Sequence, residues 1–233
     1  MNALLFNTTL KPSPDESHTQ LLLEAVGRLL RSEGVAVEHV HVRSAGLAFG
    51  VQPDMTAHGA TTDGWPSIWP KVLDADIVVV GTPLWLGEES SVCRLLIERL
   101  YAMSGELNDR GQSIYYGKVA GSVITGNEDG IKHAAMTLHY ALGHLGFTIP
   151  PQADAGWIGE AGPGPSYGDP REDGTRVGFD NAFTRRNATI LAWNLLHLAR
   201  ILRDAGGYPN HGNDRRAFAD GERFGFENPE YRS

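Results

Sequence analysis

Three segments of this 233-residue chain combine side chains in ways that could do chemistry. The first runs from Asn7 to Thr19, with hydroxyls at Thr8, Thr9, Ser13, Ser17 and Thr19 and a cation at Lys11. It leads into a helix start, whose unpaired N–H groups and positive dipole end favour a phosphate. The glycines of a dinucleotide fingerprint are absent, so a terminal monophosphate suits it better than a pyrophosphate. A plainer reading makes Ser17 a helix cap and the prolines a stiff turn. The second segment, Gly81 to Ser91, places Leu84, Trp85 and Leu86 where a soluble protein would normally turn with polar residues. Such an apolar step can receive a flat ring, with the backbone N–H groups of Leu84 to Gly87 facing its polar edge. The third, Thr125-Gly126-Asn127-Glu128-Asp129-Gly130, offers glycines for close backbone approach and an Asn amide for a heteroaromatic edge. Read separately, the second could be a Trp packed under a neighbouring loop, and the third a turn with Asp129 as a cap.

The elements that must position these segments alternate. Asn2 to Phe6 reads as a buried strand, and Leu21, Leu22, Ala25, Leu29 and Leu30 recur at helical spacing until Gly34. Val35 to Val42 is a second strand, and a short helix is expected around Ile68 to Leu73 after a long polar connection. Ile77-Val78-Val79-Val80 has no polar face, as in the middle of a parallel sheet. Helices are expected over Glu88 to Met103, with Val92, Leu95, Leu96, Arg99 and Leu100 in phase, and over Ile131 to Leu145. Strands fall at Val119 to Thr125 and within Phe147 to Trp157, and a loop from Gly159 to Gly178 leads to a last helix over Ala182 to Ala205. Strand–helix alternation implies a mainly parallel sheet, since parallel strands need crossovers. Ligands of such sheets bind beyond the carboxyl ends of the strands, where all three segments lie.

Composition narrows the function. The net charge is −8, with no basic, aromatic-laced stripe, so nucleic acid is not an expected partner. No run approaches the apolar length of a membrane span, and the N-terminus lacks a signal-peptide pattern. A single cysteine, Cys93, forms no intrachain disulfide; with the missing signal pattern this makes the cytoplasm the expected compartment. The nine histidines lack the His-x-x-x-His spacing of a compact zinc site, so no metal is expected. Cys93 falls in the helical pattern beside Val92 and Leu96 and reads as buried filler rather than nucleophile. The tail from Gly206, with Tyr208, Phe218, Phe224, Phe226 and Tyr231, could pack on a neighbouring subunit or on its own domain.

Taken together, the three loops resemble those of flavodoxin-like, NAD(P)H-dependent FMN reductases. Thr82-Pro83-Leu84-Trp85-Leu86-Gly87 is similar to that family's Thr-Pro-x-(Tyr/Trp)-x-Gly segment, and Thr125 to Gly130 to its third loop. Thr8-Thr9-x-Lys11 stands where many members have Gly-Ser-x-Arg. The resemblance spans roughly residues 2–157. It implies a flavodoxin-like three-layer α/β sandwich with a five-stranded parallel sheet, order 2-1-3-4-5, over residues 1–205, followed by a tail over 206–233. It also implies an oxidoreductase that passes reducing equivalents from NAD(P)H, through FMN, to a quinone, a flavin or another small acceptor. Thr9, Lys11, Ser17, His18 and Thr19 would then surround the FMN phosphate. Pro83, Leu84, Trp85, Leu86 and Gly87 would flank the ring, and Thr125, Gly126, Asn127, Glu128 and Asp129 its pyrimidine edge. Trp157 and Tyr167 would cover the nicotinamide or acceptor, in a homodimer or homotetramer. The other readings are a flavodoxin-type single-electron carrier and a flavin-free interaction module. With Cys93 alone, an iron–sulfur centre is not expected.

Overall fold

The computed structural model describes residues 1–162 and 164–225. Its strands are β1 (Asn2–Asn7), β2 (Ala36–His41), β3 (Ile77–Trp85), β4 (Glu88–Glu89), β5 (Val119–Gly126) and β6 (Asp154–Ile158). The long strands form one parallel sheet in the order β2-β1-β3-β5-β6. With the two-residue β4 set aside, this is the 2-1-3-4-5 order expected, and the fold is flavodoxin-like. The register sets Phe6 beside Val80 and Gly81 beside Val123, so the ends of β1, β3 and β5 open onto common ground. Ile77, Val78, Val79 and Val80 are buried on both faces, as their unbroken apolar run implied.

Helices α1 (His18–Ser32), α2 (Trp65–Asp74), α3 (Ser91–Tyr101), α4 (Ile131–Leu145) and α5 (Ala182–Asp204) cover the sheet, and a short α6 (Arg215–Ala219) lies in the tail. On one face, Leu22, Leu23 and Val26 of α1 pack with Leu191 and Leu195 of α5. On the other, Val72 of α2, Leu96 and Leu100 of α3, and Leu138 and Leu142 of α4 share a second core. Each such side chain contributes about 1.5–3 kcal/mol when removed from water.

The expected helix from Glu88 begins later. Glu88 and Glu89 instead pair back with Trp85 and Leu84, and Ser90 caps α3 by accepting from the Cys93 amide. The polar stretch before α2 is held by a buried ion pair. Arg99 of α3 donates to Asp63 at 2.7 Å, with both side chains fully enclosed, and to the Gly50 and Pro53 carbonyls. Asp63 also accepts from the amides of Ala48, Met55 and Trp65. Burial works to raise its pKa, but these amides and Arg99 outweigh burial and hold it below the usual carboxylate value.

The tail segment after α5 folds back on the body. Gln112 donates to the carbonyls of Tyr208 and Pro209, and the Arg215 amide to that of Gly111. Phe226 and Tyr231, expected to belong to this aromatic tail, lie outside the described residues.

Candidate functional site

The loops after β1, β3 and β5 meet around a cavity of about 540 Å³. Its β1 side is cationic. Ser17 caps α1 by accepting from the Gln20 amide, and the first amides of a helix have no intrahelical acceptor. Lys11 reaches across this helix start, donating to the Glu16 carbonyl. His18 Nδ1 lies 2.8 Å from the Tyr167 carbonyl oxygen, so the proton sits on Nδ1 and Nε2 accepts from the Lys11 ammonium at 3.3 Å. Between Lys11 and the apolar side, the hydroxyls of Thr19 and Thr125 bond each other at 2.8 Å, tying α1 to β5.

The apolar side is a hairpin. Leu84 and Trp85 of β3 pair with Glu89 and Glu88 of β4 across a two-residue turn. Leu86 and Gly87 there have φ of +52° and +82°, positive at both central positions as in a type I′ turn. Glycine fits this region freely; leucine does so at a cost of about 1–2 kcal/mol. The turn is braced: Leu86 N–H donates to Glu128 Oε1 at 2.6 Å, and Gly130 packs so closely that an added Cβ would sit 2.5 Å from Gly87 Cα. Leu84 is buried beneath the cavity, whereas Trp85 is 53% and Leu86 91% exposed.

Of the third wall, only Tyr167 was expected from the sequence. Ala161, Gly162, Gly164 and Ser166 roof the cavity together with Tyr167. Asn127 holds this roof: its Nδ2 donates to the Gly164 and Pro165 carbonyls, and its Oδ1 accepts from Ser166 Oγ at 3.1 Å. The signal available was length, because a connection of this size without regular structure is usually functional. Asn127→Ala should release the roof. Limited proteolysis should then cut between residues 159 and 168 several-fold faster than in the parent, and equal rates would show that other contacts hold it.

Thus Thr9, Lys11, His18, Thr19, Pro83, Leu84, Trp85, Thr125, Gly126, Asn127, Glu128 and Tyr167 share one cavity. The other expected residues stand off its wall. Ser17 is spent as a helix cap, also donating to Asn7 Oδ1. Leu86 and Gly87 form the outer tip of the hairpin, and Asp129 is exposed beyond it. Trp157, expected at the acceptor site, belongs to the core packed on α5, one layer behind Tyr167 at 5.8 Å between ring centres. Its position near the end of β6, alternating with the half-buried Gly156 and exposed Ile158, turns it inward. Burial pushes the Cys93 thiol up to about 12, so it supplies no nucleophile. His139 is held by Ser122 Oγ at 3.0 Å and its pKa is lowered by burial.

Residues 1–157 match the NADPH-dependent FMN reductase family. The chain belongs to that family. FMN and NAD(P)H are the cofactors that membership carries. The chain is 35% identical over 209 residues to the 8-demethyl-8-aminoriboflavin-5′-phosphate synthase of Streptomyces davaonensis, covering 88% of this chain and 79% of that protein. It is 54% identical over 203 residues to the divalent metal cation transporter MntH of Mycobacterium bovis. That match takes in 87% of this chain but only 29% of the transporter. Among solved structures, RosB with the bound intermediate 8-demethyl-8-formylriboflavin-5′-phosphate superposes with a TM-score of 0.80 at 32% identity. The superposition covers 100% of this chain and 94% of RosB. No helix among the described residues is long and apolar enough to cross a membrane.

The cavity wall fits FMN. Lys11 at a helix start suits its phosphate, the Thr19–Thr125 hydroxyl pair suits its polyol chain, and Leu84 and Trp85 offer an apolar shelf for its ring. Trp85→Ala should raise the FMN dissociation constant roughly tenfold, about 1.4 kcal/mol, by removing half of that shelf. An unchanged constant in a fluorescence titration would move the ring elsewhere.

Proposed function

We propose that the chain is an FMN-dependent oxidoreductase that takes reducing equivalents from NAD(P)H and passes them to a small acceptor. The observation that carries this is the single cavity joining a cationic helix start to an apolar shelf at the ends of β1, β3 and β5. FMN bound here would supply the redox chemistry, hydride acceptance and electron release. The protein's part is to bind, orient and exclude water. Lys11, His18 and the first amides of α1 would take the phosphate, and Thr9 and Thr19 lie beside them. Pro83, Leu84 and Trp85 would flank the ring, with Thr125, Gly126 and Glu128 along its polar edge. His18 and Asn127 hold the roof over this space. No side chain on the wall is needed as an acid or base for hydride transfer. Anaerobic mixing of the FMN-loaded protein with NADPH and with NADH tests the proposal. Bleaching of the flavin band by at least one of them is expected, and no bleaching by either would reject it.

A second reading has its own support. The roof lies beyond residues 1–157, the part matched to the reductase family, yet within the whole-chain superposition on RosB, whose bound molecule is a modified flavin phosphate. A roofed flavin phosphate could be the reactant rather than a resident cofactor. Mass spectrometry of the flavin recovered after turnover separates the two readings. Unaltered FMN supports the cofactor role, and a flavin of changed mass supports the reactant role.

A further inference from the structure

Glu128 supplies the only carboxylate on the cavity wall among the described residues. It is half-buried, and no Lys, Arg or His among the described residues lies within ion-pairing distance of it. The nearby bases are committed elsewhere: His133 faces Glu88 at 3.3 Å, and Lys132 pairs with Asp154. Lys11, whose ammonium lines the cavity, belongs to the loop after β1, whereas Glu128 follows β5. One of its oxygens is fixed by the Leu86 amide at 2.6 Å, at the strained tip of the hairpin whose inner residues make the shelf. The carboxylate is therefore held beside the shelf with no cation paired to it among the described residues.

We propose that Glu128 sets the reducing power of the flavin held here, acting as a charged positioning residue rather than as a catalytic acid or base. This rests on the reading that the cavity holds FMN. Reduction adds electron density to the ring, and a fixed negative charge in a partly desolvated wall opposes that change more strongly than it would in water. The reduced ring is thus bound less tightly than the oxidised one, and the bound flavin becomes a stronger electron donor. The same oxygen braces the Leu86 turn, so charge and shelf geometry are set by one side chain.

The charge and the brace can be separated. In Glu128→Gln the amide oxygen can still accept from Leu86 N–H, but the charge is gone. The full chain and the variant are loaded with FMN, and the midpoint potential is measured by equilibration with a reference dye, beside the dissociation constant for oxidised FMN. Affinity for oxidised FMN is expected to change less than affinity for reduced FMN. The variant's preference for reduced over oxidised flavin should rise about tenfold, equivalent to roughly +30 mV for a two-electron couple. Unchanged potential with unchanged affinity would overturn the proposal and leave Glu128 a brace only. A potential that moves in Glu128→Ala but not in Glu128→Gln would overturn it too, by assigning the effect to hairpin geometry. Failure of the parent itself to bind FMN would instead overturn the reading of the cavity on which the proposal rests.

Discussion

Lys11→Ala should raise the dissociation constant for FMN by about 10–100-fold while leaving riboflavin binding unchanged. The ammonium sits over the start of α1, between the Glu16 carbonyl and His18 Nε2, where a phosphate would meet it. A charge-assisted hydrogen bond contributes about 1.5–3 kcal/mol, which corresponds to that range. His18 and the amides of the first helical turn remain, so binding should weaken rather than vanish. Parallel fluorescence titrations with the two flavins check this. An equal loss for both would mean that Lys11 supports the loop rather than the phosphate.

Asp63→Ala should be the most destabilising single change. It strips the fully enclosed Arg99 of its anion and leaves the amides of Ala48, Met55 and Trp65 without their acceptor. Removing one member of a buried pair costs about 3–5 kcal/mol. For a chain of this size that is a fall in melting temperature on the order of 10 °C. The carboxyl titrates lower in the folded state than in the unfolded chain. Its contribution is therefore complete above the unfolded value near pH 4 and is lost as pH falls through the folded value. Asp63→Asn should accordingly flatten the acid limb of a stability–pH curve below about pH 4. An unchanged acid limb would show that other carboxyls govern it.

How far the site could be read from the sequence depended on where its information lies. Loops after β1, β3 and β5 were legible because their residue types conflict with ordinary turns: a hydroxyl-rich run before a helix, and a Trp directly after a buried strand. The β4 hairpin was not, because Glu88-Glu89-Ser90-Ser91 is good helix-start chemistry and a leucine at φ +52° breaks the usual preference for Asn or Gly in such a turn. Only tertiary contacts, through Glu128 and Gly130, keep it there. Asn127 was read as a group for the ligand and is found holding the roof, a role that requires knowing where residues 164–166 return in space. Arg99 fell in the apolar phase of its helix, a sign of burial, but nothing local pointed to Asp63 as its partner.

The cavity beyond β1, β3 and β5 should hold FMN. The most direct measurement is titration of the purified chain with FMN and with riboflavin, followed by visible absorption and flavin fluorescence. Saturable binding of one FMN per chain is expected, with a perturbed visible spectrum and clearly weaker binding of riboflavin. A protein that gains no flavin spectrum, or that binds both flavins equally, would contradict it.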